Sequence, residues 1–222
     1  MLNLKMNRKL KIINHLDLVE YSQMLEEQLA YVEDIAKNKD APYVMQFLEH
    51  RAVMTVGRAF EQKHMVYNKK QLEDKGIDYI EVSRGGSITY HGPGQLIVYL
   101  HVHLKELGLF LDAYLRELEE WVERTVNKYN IATSKVIGKT GVWTESGKIC
   151  AMGIAAKRFV SYHGLSINFG VDLNCFNYIV PCGLTEPVTS MKEILKKEID
   201  REELIQTMIE CRPSWLKGLD FV

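Results

Sequence analysis

The sequence has few cysteines and no long apolar run, and both absences narrow its class. Its 222 residues include four cysteines, none of them spaced as C-x-x-C, which excludes zinc-knuckle and thioredoxin-type motifs. No apolar stretch approaches the roughly 20 residues that cross a bilayer, and the first residues lack the unbroken apolar core of a signal peptide. We therefore expect a cytoplasmic protein with free thiols.

An excess of charge of one sign is also missing. The 28 Lys and Arg residues balance 29 Asp and Glu residues to a formal net charge of −1, which disfavours a general nucleic-acid or membrane-surface binder. Hydrophobic residues make up 46% of the chain, an ordinary share for a globular protein. A chain of this length buries about 70% of its extended surface on folding, so it needs neither disulfides nor a structural metal for stability.

The apolar spacing predicts one α/β (α+β) domain over residues 1–222. Strands and helices follow as β-α-β-β-α-β, a glycine-rich loop, β-α, several consecutive strands cut by glycines over 140–170, and C-terminal helices. Consecutive strands without intervening helices indicate a mixed sheet. Helix starts are predicted at four capping residues, which are Asp17, Asp112, Ser190 and Asp200.

We expect the function to lie where the glycines are concentrated, because 12 of the 15 lie between Gly85 and Gly183. The segment R-G-G-S-I-T-Y-H-G-P-G-Q, residues 84–95, contains four of them. Glycine lets backbone N–H groups approach a ligand, and Arg84 suits an anion or a carbonyl oxygen. A simple turn between strands explains the glycines equally well, and the segment matches neither common nucleotide-phosphate motif. Tyr90 and His91, which a plain turn does not require, favour a binding function.

Cys182, in V-P-C-G, is the candidate nucleophile. Its flanking proline and glycine would hold the loop in one shape with the sulfur exposed. A thiol with a pKa of about 8.5 is mostly protonated at neutral pH, so it needs a nearby cation or base. Lys148 or a histidine could supply one, although spacing along the chain says nothing about proximity. The alternative for any cysteine is a small buried side chain, and we assign it to Cys150, Cys175 and Cys211.

His101 and His103 share one face of a predicted strand, a spacing that can bind a metal. No Asp, Glu or Cys ligand is evident beside them. We therefore interpret the pair as part of a solvated strand face and expect no metal site. His163, before Gly164 in a later strand, marks either a residue beside a ligand or a bulge.

Residues 131–170 carry a local excess of positive charge. Glu145 is their only acidic residue, against five cations, which are Lys135, Lys139, Lys148, Lys157 and Arg158. A basic face suits an acidic protein partner. It is at least as compatible with acids supplied from elsewhere in the fold.

Several motifs occur in the order and with the spacing of one enzyme family. They are F-L-E-H (47–50), T-V-G (55–57), R-G-G-S-I-T-Y-H-G-P-G-Q (84–95), G-V-W (141–143), K-I-C-A-M-G (148–153), H-G-L-S-I-N (163–168), D-L-x-x-F (172–176) and P-C-G (181–183). With them the chain resembles the lipoyl(octanoyl) transferase family over nearly its whole length. Its departures are modest: Leu100 replaces a usual proline, Ala155 and Ala156 replace common basic residues, and Ser166 often corresponds to alanine.

The resemblance implies a fold like the biotin and lipoate protein ligases, with a mixed sheet flanked by helices and a small extra lobe. It also implies that Cys182 carries the acyl group as an S-octanoyl thioester, while Lys148 lowers the pKa of that thiol and moves protons. The implied acyl site combines the glycine-rich segment with two later strands. Its residues are Arg84, Gly85, Gly86, Ser87, Ile88, Thr89, Tyr90, His91, Ala151, Met152, Gly153, Gly164, Leu165 and Ser166.

The implied reaction moves octanoyl from the phosphopantetheine of octanoyl-acyl-carrier protein to Cys182, and then to a lysine of a lipoyl domain. The implied acceptors are the lipoyl domains of 2-oxoacid dehydrogenases and the glycine cleavage H protein. Thioester exchange followed by amide formation runs downhill, so we expect no ATP, metal or other cofactor. We also expect a monomer without nucleic-acid or membrane partners. A lysine in an apolar pocket can reach a pKa of about 7–8, which suits a proton carrier.

Three alternatives remain open at this stage. An amidotransferase would move the acyl group between two lipoyl-bearing proteins. A cysteine thioesterase would pair Cys182 with His91 or His163 and release octanoate. A non-catalytic lipoyl-domain binder would not need the thiol. The thioesterase is the least favoured, because it leaves Lys148 without a task.

Overall fold

The computed structural model describes residues 8–136, 138–179 and 187–222, and within these ranges the chain forms two β-sheets. The larger sheet has seven strands, in the spatial order β1 (Leu10–Asn14), β2 (Tyr43–Leu48), β6 (Gln95–His101), β10 (Val160–Asn168), β9 (Gly147–Lys157), β8 (Lys139–Thr144) and β7 (Ser134–Val136). The smaller sheet has three, in the order β4 (Asp78–Glu81), β3 (Val53–Val56) and β5 (Ile88–His91).

The helices within the described ranges pack on or beside these sheets. They are α1 (Tyr21–Lys37), α2 (Lys69–Glu73), α3 (Leu111–Asn127), α4 (Met191–Leu195), α5 (Arg201–Glu210) and α6 (Ser214–Lys217), with 3-10 turns at Gln62–His64 and Leu173–Tyr178. Helix α1 packs on β10 and β6, and α3 packs on β8, β9 and α5. None of these helices is long and apolar enough to cross a membrane.

Each sheet is mixed, because each contains one parallel pair among antiparallel ones. Strands β1 and β2 are parallel, as are β3 and β4, whereas β6, β10, β9 and β8 pair antiparallel in turn. The smaller sheet has its own hydrophobic cluster, which includes Met54, Ile88 and Tyr90. The predicted mixed sheet with flanking helices and a small extra lobe is confirmed.

The main core lies between the larger sheet and its helices. Trp121 of α3 is fully buried there, and its Nε1 donates a hydrogen bond to Met208 O at 2.8 Å. The apolar residues of α1 recur at helical spacing and face the core, with Met24, Val32 and Ile35 each almost inaccessible. Burial of a spaced apolar face explains why α1 forms where it does.

The four predicted helix caps divide into two confirmed and two wrong. The side chains of Ser190 and Asp200 accept hydrogen bonds from the third residue of their helices, as a capping box requires. Asp17 does not begin α1. Its neighbour Val19 pairs in extended conformation with His50, so the helix begins only at Tyr21. Helix α3 begins one residue before Asp112, which lies in its first turn.

The glycines of the central region interrupt the strands less than expected. Strand β9 runs through Gly153 and β10 runs through Gly164 without a break, and the two face each other in the ladder. The glycine-rich stretch 84–95 contains strand β5 rather than a plain loop. Glycine at these positions serves close backbone approach instead of ending strands.

Arg8 fastens the start of β1 to the end of α1. Its guanidinium is nearly inaccessible and donates hydrogen bonds to the carbonyl oxygens of Ile35, Asn38 and Ala41, at 2.8–3.1 Å. It also donates to both carboxylate oxygens of Glu106, at 2.6 and 2.8 Å. The hydrogen bonds from Arg8 lower the pKa of Glu106 below its usual value.

We expect Glu106→Gln to lower the free energy of unfolding at pH 7 by about 1–2 kcal/mol, because Arg8 stays buried without its countercharge. The depressed folded pKa of Glu106 means that its contribution is present above the unfolded value of about 4.3 and is lost as the pH falls through the folded value. Urea unfolding at pH 7 and pH 3 should therefore show a smaller pH difference for Glu106→Gln than for the unaltered protein. The exposed Glu26→Gln is the control, and equal pH differences in all three proteins would contradict this account.

Candidate active site

The glycine-rich segment passes close to two strands, leaving no room for a Cβ atom at one contact and only a tight fit at the other. A Cβ on Gly153 of β9 would lie 3.0 Å from Arg84 Cδ and 3.2 Å from Gly85 O. A Cβ on Gly57, at the end of β3, would lie 2.5 Å from Gly86 O. Glycine at these positions lets the segment bridge the two sheets by close backbone contact.

Arg84 holds this segment against the smaller sheet. Its side chain is 6% exposed. Nε and Nη2 donate hydrogen bonds to Thr55 Oγ1 at 3.1 and 2.9 Å, and Nη2 also donates to Thr55 O at 2.5 Å. Nη1 donates to Gly85 O at 2.9 Å. Arg84 thus binds the backbone carbonyl oxygens of Thr55 and Gly85. These hydrogen bonds keep its positive charge beside the inner cavity.

Alternation along β5 divides the predicted lining residues into two sets. Thr89 and His91 line the cavity, whereas Ile88 and Tyr90 point into the hydrophobic cluster of the smaller lobe. Successive side chains of a strand face opposite ways, so a continuous motif cannot line one cavity with all its residues.

Lys148 is the second residue of β9, and both its backbone N–H and its backbone carbonyl oxygen are hydrogen-bonded. Its N–H donates to Pro187 O at 2.9 Å, and the Thr189 N–H donates to Lys148 O at 3.0 Å. The Nζ atom lies 5.0 Å from the centre of the Trp143 ring. A Cβ on Gly141 would lie 2.5 Å from Lys148 Cε, so glycine there leaves the room that the lysine side chain occupies.

Two adjoining spaces meet at Lys148. An inner cavity of about 50 Å³ is lined by Tyr21, Arg84, Gly86, Thr89, His91, Ile97, Tyr99, Lys148, Ala151, Met152, Gly153, His163, Gly164, Leu165 and Ser166. An outer groove of about 690 Å³ is lined by Arg58, Gly85, Gly86, Leu111, Asp112, Leu115, Gly138, Lys139, Thr140, Lys148, Met152, Gly153 and Ile154. The spaces share four residues, which are Gly86, Lys148, Met152 and Gly153.

Most of the residues predicted for the acyl site therefore lie together. Among the exceptions, Gly85 lines only the outer groove. Ser87, Ile88 and Tyr90 line neither space, and the hydroxyl of Ser87 is instead hydrogen-bonded to His64 Nδ1 at 2.8 Å. Their placement together makes this cavity the candidate site, while binding of an acyl group by these residues stays a prediction.

Cys182, the predicted nucleophile, lies outside the described residues. The described chain before it ends at Ile179, which bridges to Met65. The described chain after it begins at Pro187, whose carbonyl oxygen accepts the hydrogen bond from Lys148. The role of Cys182 and its pairing with Lys148 stay predictions.

A buried cluster of histidines and tyrosines surrounds the inner cavity, and sequence analysis had not assigned most of it to the site. His50 Nε2 lies 2.8 Å from Tyr99 OH, and Tyr21 OH lies 3.3 Å from His163 Nδ1. The Tyr21 ring lies near-parallel to that of His91, with centroids 6.2 Å apart. The signal for His50 in the sequence was its place as the last residue of F-L-E-H. The signal for Tyr99 was strand alternation, which turns it away from the core face that carries Val98 and Leu100.

The histidines of this cluster are held neutral. Burial lowers the pKa of His50 to about 4. Burial, helped by the positive charge of Arg84, lowers the pKa of His163 to about 3. Burial likewise lowers the pKa of His91 well below its ordinary value, and nearby positive charge adds to the effect. At neutral pH these rings act as hydrogen-bonding groups without charge.

His163 has two features typical of functional residues, which are a strained backbone conformation and a buried polar atom without a hydrogen-bond partner among the described residues. Its φ of +59° lies in the left-handed region that only glycine adopts freely, and its Nε2 is buried without a hydrogen-bond partner in the described part of the chain. Its backbone N–H donates to Gln28 Oε1 at 2.7 Å, which helps to hold the conformation. Strain and an unsatisfied polar atom beside a cavity are features of functional sites.

Glu119 is a further residue that the sequence did not assign to the site. It is fully buried on α3, and its Oε1 accepts a hydrogen bond from Gly141 N at 3.0 Å. Arg116 forms an ion pair with the same carboxylate. Glu119 thus fixes the strand on which the Lys148 side chain rests, and an apolar helical stripe gives no signal for such a contact.

The pair of His101 and His103 is not a solvated strand face, since His101 ends β6 and His103 lies beyond that strand, in a bridge to Val160. His101 is fully buried, with Nε2 at 3.2 Å from Gln46 Oε1 and Nδ1 at 3.2 Å from Ser161 O. That part of the prediction was wrong, because helix α1 packs on β6 and its Tyr31 ring lies against His101, with ring centroids 5.6 Å apart. Over the ranges that the structure describes, no three His, Cys, Asp or Glu side chains are grouped so as to hold a metal ion.

The remaining cysteines fit the role of ordinary packed side chains. Cys150 and Cys211 are buried, and burial raises the pKa of Cys150 above its ordinary value. Cys175 is partly buried, and its pKa is also raised by burial. A raised pKa keeps a thiol protonated and unreactive.

The basic stretch of residues 131–170 is balanced in large part by acids from two helices. Lys157 and Arg158 both pair with Glu33 of α1, at 3.1 and 2.9 Å. Lys135 pairs with Glu120 and Glu123 of α3, each at 3.3 Å. The interpretation as a surface balanced from elsewhere holds for these three cations.

Comparison with known proteins assigns a family to this arrangement. Residues 20–211 match the lipoyl protein ligase A/B catalytic domain. Relatives include proteins named octanoyltransferase from Bacteroides fragilis, 37% identical over 85% of this chain and 90% of the relative, and from Flavobacterium johnsoniae, 36% identical over 92% and 95%.

Solved structures share the fold at much lower identity. A lipoate-protein ligase A bound with ATP is 15% identical, with a TM-score of 0.72 over 97% of this chain and 87% of that one. A bipartite lipoate protein ligase from Thermoplasma acidophilum is 16% identical, with a TM-score of 0.71 over 98% and 86%. These likenesses bear on the fold alone.

The Arg84 anchor is testable through amide exchange. The N–H groups of Gly57, Arg58 and Ala59 donate to carbonyl oxygens of the glycine-rich segment. We expect Thr55→Val, which removes the hydroxyl acceptor of Arg84, to cost about 1–3 kcal/mol of stability and to speed hydrogen exchange at these three amides. Thr55→Ser keeps the hydroxyl and is the matched control. Unchanged exchange at these amides in Thr55→Val would show that Arg84 does not hold the segment.

Proposed function

This chain belongs to the family of lipoyl protein ligase A/B catalytic domains, and on that premise we propose that it is an acyltransferase that moves an octanoyl group in protein lipoylation. The proposal rests on one observation above all. Lys148 lies where a small inner cavity meets a larger outer groove. An acyl chain held in the inner cavity would thus have its carbonyl beside an amine and within reach of a partner in the groove.

In the first step, the thiolate of Cys182 attacks the carbonyl carbon of the donor thioester. The bond from that carbon to the phosphopantetheine sulfur breaks, and the departing thiolate takes a proton, for which Lys148 is the carrier. In the second step, a lysine amine of the acceptor domain attacks the new thioester. The amide forms, the attacking amine passes its proton to Lys148, which lost one in the first step, and Cys182 leaves again as a thiolate.

The donor in this scheme is octanoyl-acyl-carrier protein. The acceptors are lipoyl domains of 2-oxoacid dehydrogenases and the glycine cleavage H protein. Both steps start from a thioester, which is already activated, so the scheme uses no ATP and no metal. The protein acts as a monomer in the cytoplasm.

Two features of the described residues support the assignment of Lys148. Cys182 precedes Pro187 by five positions, and Pro187 O is hydrogen-bonded to the Lys148 N–H. The chain that carries the thiol is thereby tied to the strand that carries the amine. The lysine side chain also has its own space, because Gly141 leaves room for it.

The thioesterase alternative receives less support from the cavity. It needs His91 or His163 as the base that activates the thiol, and burial depresses the pKa of both rings well below neutral. A general base works best when its pKa lies near the working pH. Lys148 remains as the group available to exchange a proton at the junction.

The transfer itself is tested by mass spectrometry. We expect incubation with octanoyl-acyl-carrier protein to add one octanoyl group to the protein, and we expect later addition of an apo lipoyl domain to remove it onto that domain, without ATP. The adduct should disappear in Cys182→Ala and persist in Cys175→Ala, which alters a partly buried thiol. An adduct retained by Cys182→Ala would overturn the assignment of the nucleophile. Absolute dependence on ATP would identify a ligase, and free octanoate a thioesterase.

Lys148 is tested by separating chemistry from binding. We expect Lys148→Ala to slow formation of the acyl-enzyme by about 100-fold or more, the typical contribution of a positioned acid–base group. Binding of the carrier protein, measured by calorimetry, should change little. Lys157→Ala is the control, because Lys157 lies on the same strand but pairs with Glu33 outside the cavity. Equal losses of rate and affinity in Lys148→Ala would show that the residue is structural.

A further inference from the structure

The floor of the inner cavity is formed by aligned positions on β9, β10 and β6, with small residues on the first two of these strands. Strand register places Gly153 of β9 opposite Gly164 of β10, and Gly164 opposite Tyr99 of β6. The next aligned row has the same character and is formed by Ala151, Ser166 and Ile97. Crossing the sheet from β9 to β6, the side chains are therefore small on two strands and large on the third.

The large side chains mark the inner end of the cavity. Ile97 and Tyr99 line the inner cavity but not the outer groove. Lys148 and Gly153 line both, so they lie at the opposite, outer end. The floor between the two ends is a trough of small residues that spans strands β9 and β10.

The trough length matches a medium-length acyl chain. Neighbouring strands lie about 4.8 Å apart, so the two steps from β9 to β6 cover ~10 Å. An extended chain of eight carbons has a comparable length. A longer straight chain would meet the side chains of β6 before its carbonyl reached Lys148.

The wall on β6 is rigid. The Tyr99 hydroxyl donates to His50 Nε2 at 2.8 Å, because His50 Nδ1 donates to Val19 O at 2.9 Å. Tyr99 is therefore fixed through a chain of buried hydrogen bonds. Such a fully paired buried network resists displacement by a ligand.

Ile97 closes the other half of the wall by packing alone. It belongs to a small buried cluster with Met24, Leu48 and Tyr99, and this cluster is separate from the main core. Shortening Ile97 would open the trough toward apolar side chains instead of toward water. An added methylene or two of an acyl chain could then be buried favourably.

We propose that Ile97 and Tyr99 set the maximum length of the acyl chain that this site accepts, at about eight carbons. The inference rests on the proposed function, since it concerns the same acyl group. Ile97 is a specificity-determining residue in this account, and the wall of β6 acts by excluding longer chains rather than by binding octanoyl tightly.

The test measures kcat/KM with carrier-bound acyl chains of six, eight, ten and twelve carbons. We expect the unaltered protein to prefer eight carbons, and Ile97→Ala to change the ratio of twelve- to eight-carbon activity by about tenfold or more in favour of the longer chain. Val98→Ala is the matched control, because it shortens a buried aliphatic residue at the next position on the opposite face. Its ratio should stay that of the unaltered protein.

A second variant is expected to act in the opposite direction. Ser166→Val adds bulk in the middle of the trough, in the same row as Ile97, and should favour the six-carbon chain. Thermal unfolding is measured for each variant, and the milder Ile97→Val replaces Ile97→Ala if the latter does not fold.

The outcomes separate the inference from the proposed function. Absence of octanoyl transfer by the unaltered protein would refute the proposed function itself. Octanoyl transfer with length preferences that stay unchanged in folded Ile97 and Ser166 variants would overturn the inference and leave the proposed function in place. A shift that Val98→Ala reproduces would show general loosening of β6 and would also overturn it.

Discussion

The close approach of the glycine-rich segment to strand β9 is the constraint on which the whole site depends. Arg84 and Gly85 pass over Gly153 so closely that a Cβ atom there would lie 3.0 Å from Arg84 Cδ and 3.2 Å from Gly85 O, which is tighter than an ordinary contact. The contact joins the smaller lobe to the larger sheet. It also forms one side of the inner cavity, since Arg84 and Gly153 both line that space. The buried guanidinium of Arg84, tied to Thr55, keeps the contact in one geometry.

The same contact adds to the effect of burial on the histidines of the cavity. Arg84 is held by its hydrogen bonds where its charge acts on neighbouring rings, and together with burial this keeps His91 and His163 unprotonated. Neutral rings can line a space for an apolar chain at a lower desolvation cost than charged ones. Lys148 lines both that space and the adjoining groove, at the place where the two meet.

The outline of both fold and site could be predicted from the sequence because their signals are local. Apolar spacing predicted the mixed sheet with flanking helices, and two capping boxes predicted the starts of α4 and α5. Motif resemblance brought together Lys148, Gly153 and Gly164, which line one cavity. The failures have tertiary causes: pairing of Val19 with His50 delays α1, and helix α1 covers the face of β6 that carries His101.

The sequence by itself determined which groups are present for chemistry: a lysine, glycines that permit close contact, and strands with alternating faces. Only the tertiary structure decided which members of each motif turn inward. Ile88 and Tyr90 face away because a strand alternates, whereas Tyr21, Ile97 and Tyr99 reach the cavity from other parts of the chain. Strand register is the physical reason, because it aligns small side chains on β9 and β10 with large ones on β6, and register depends on contacts between residues far apart in sequence.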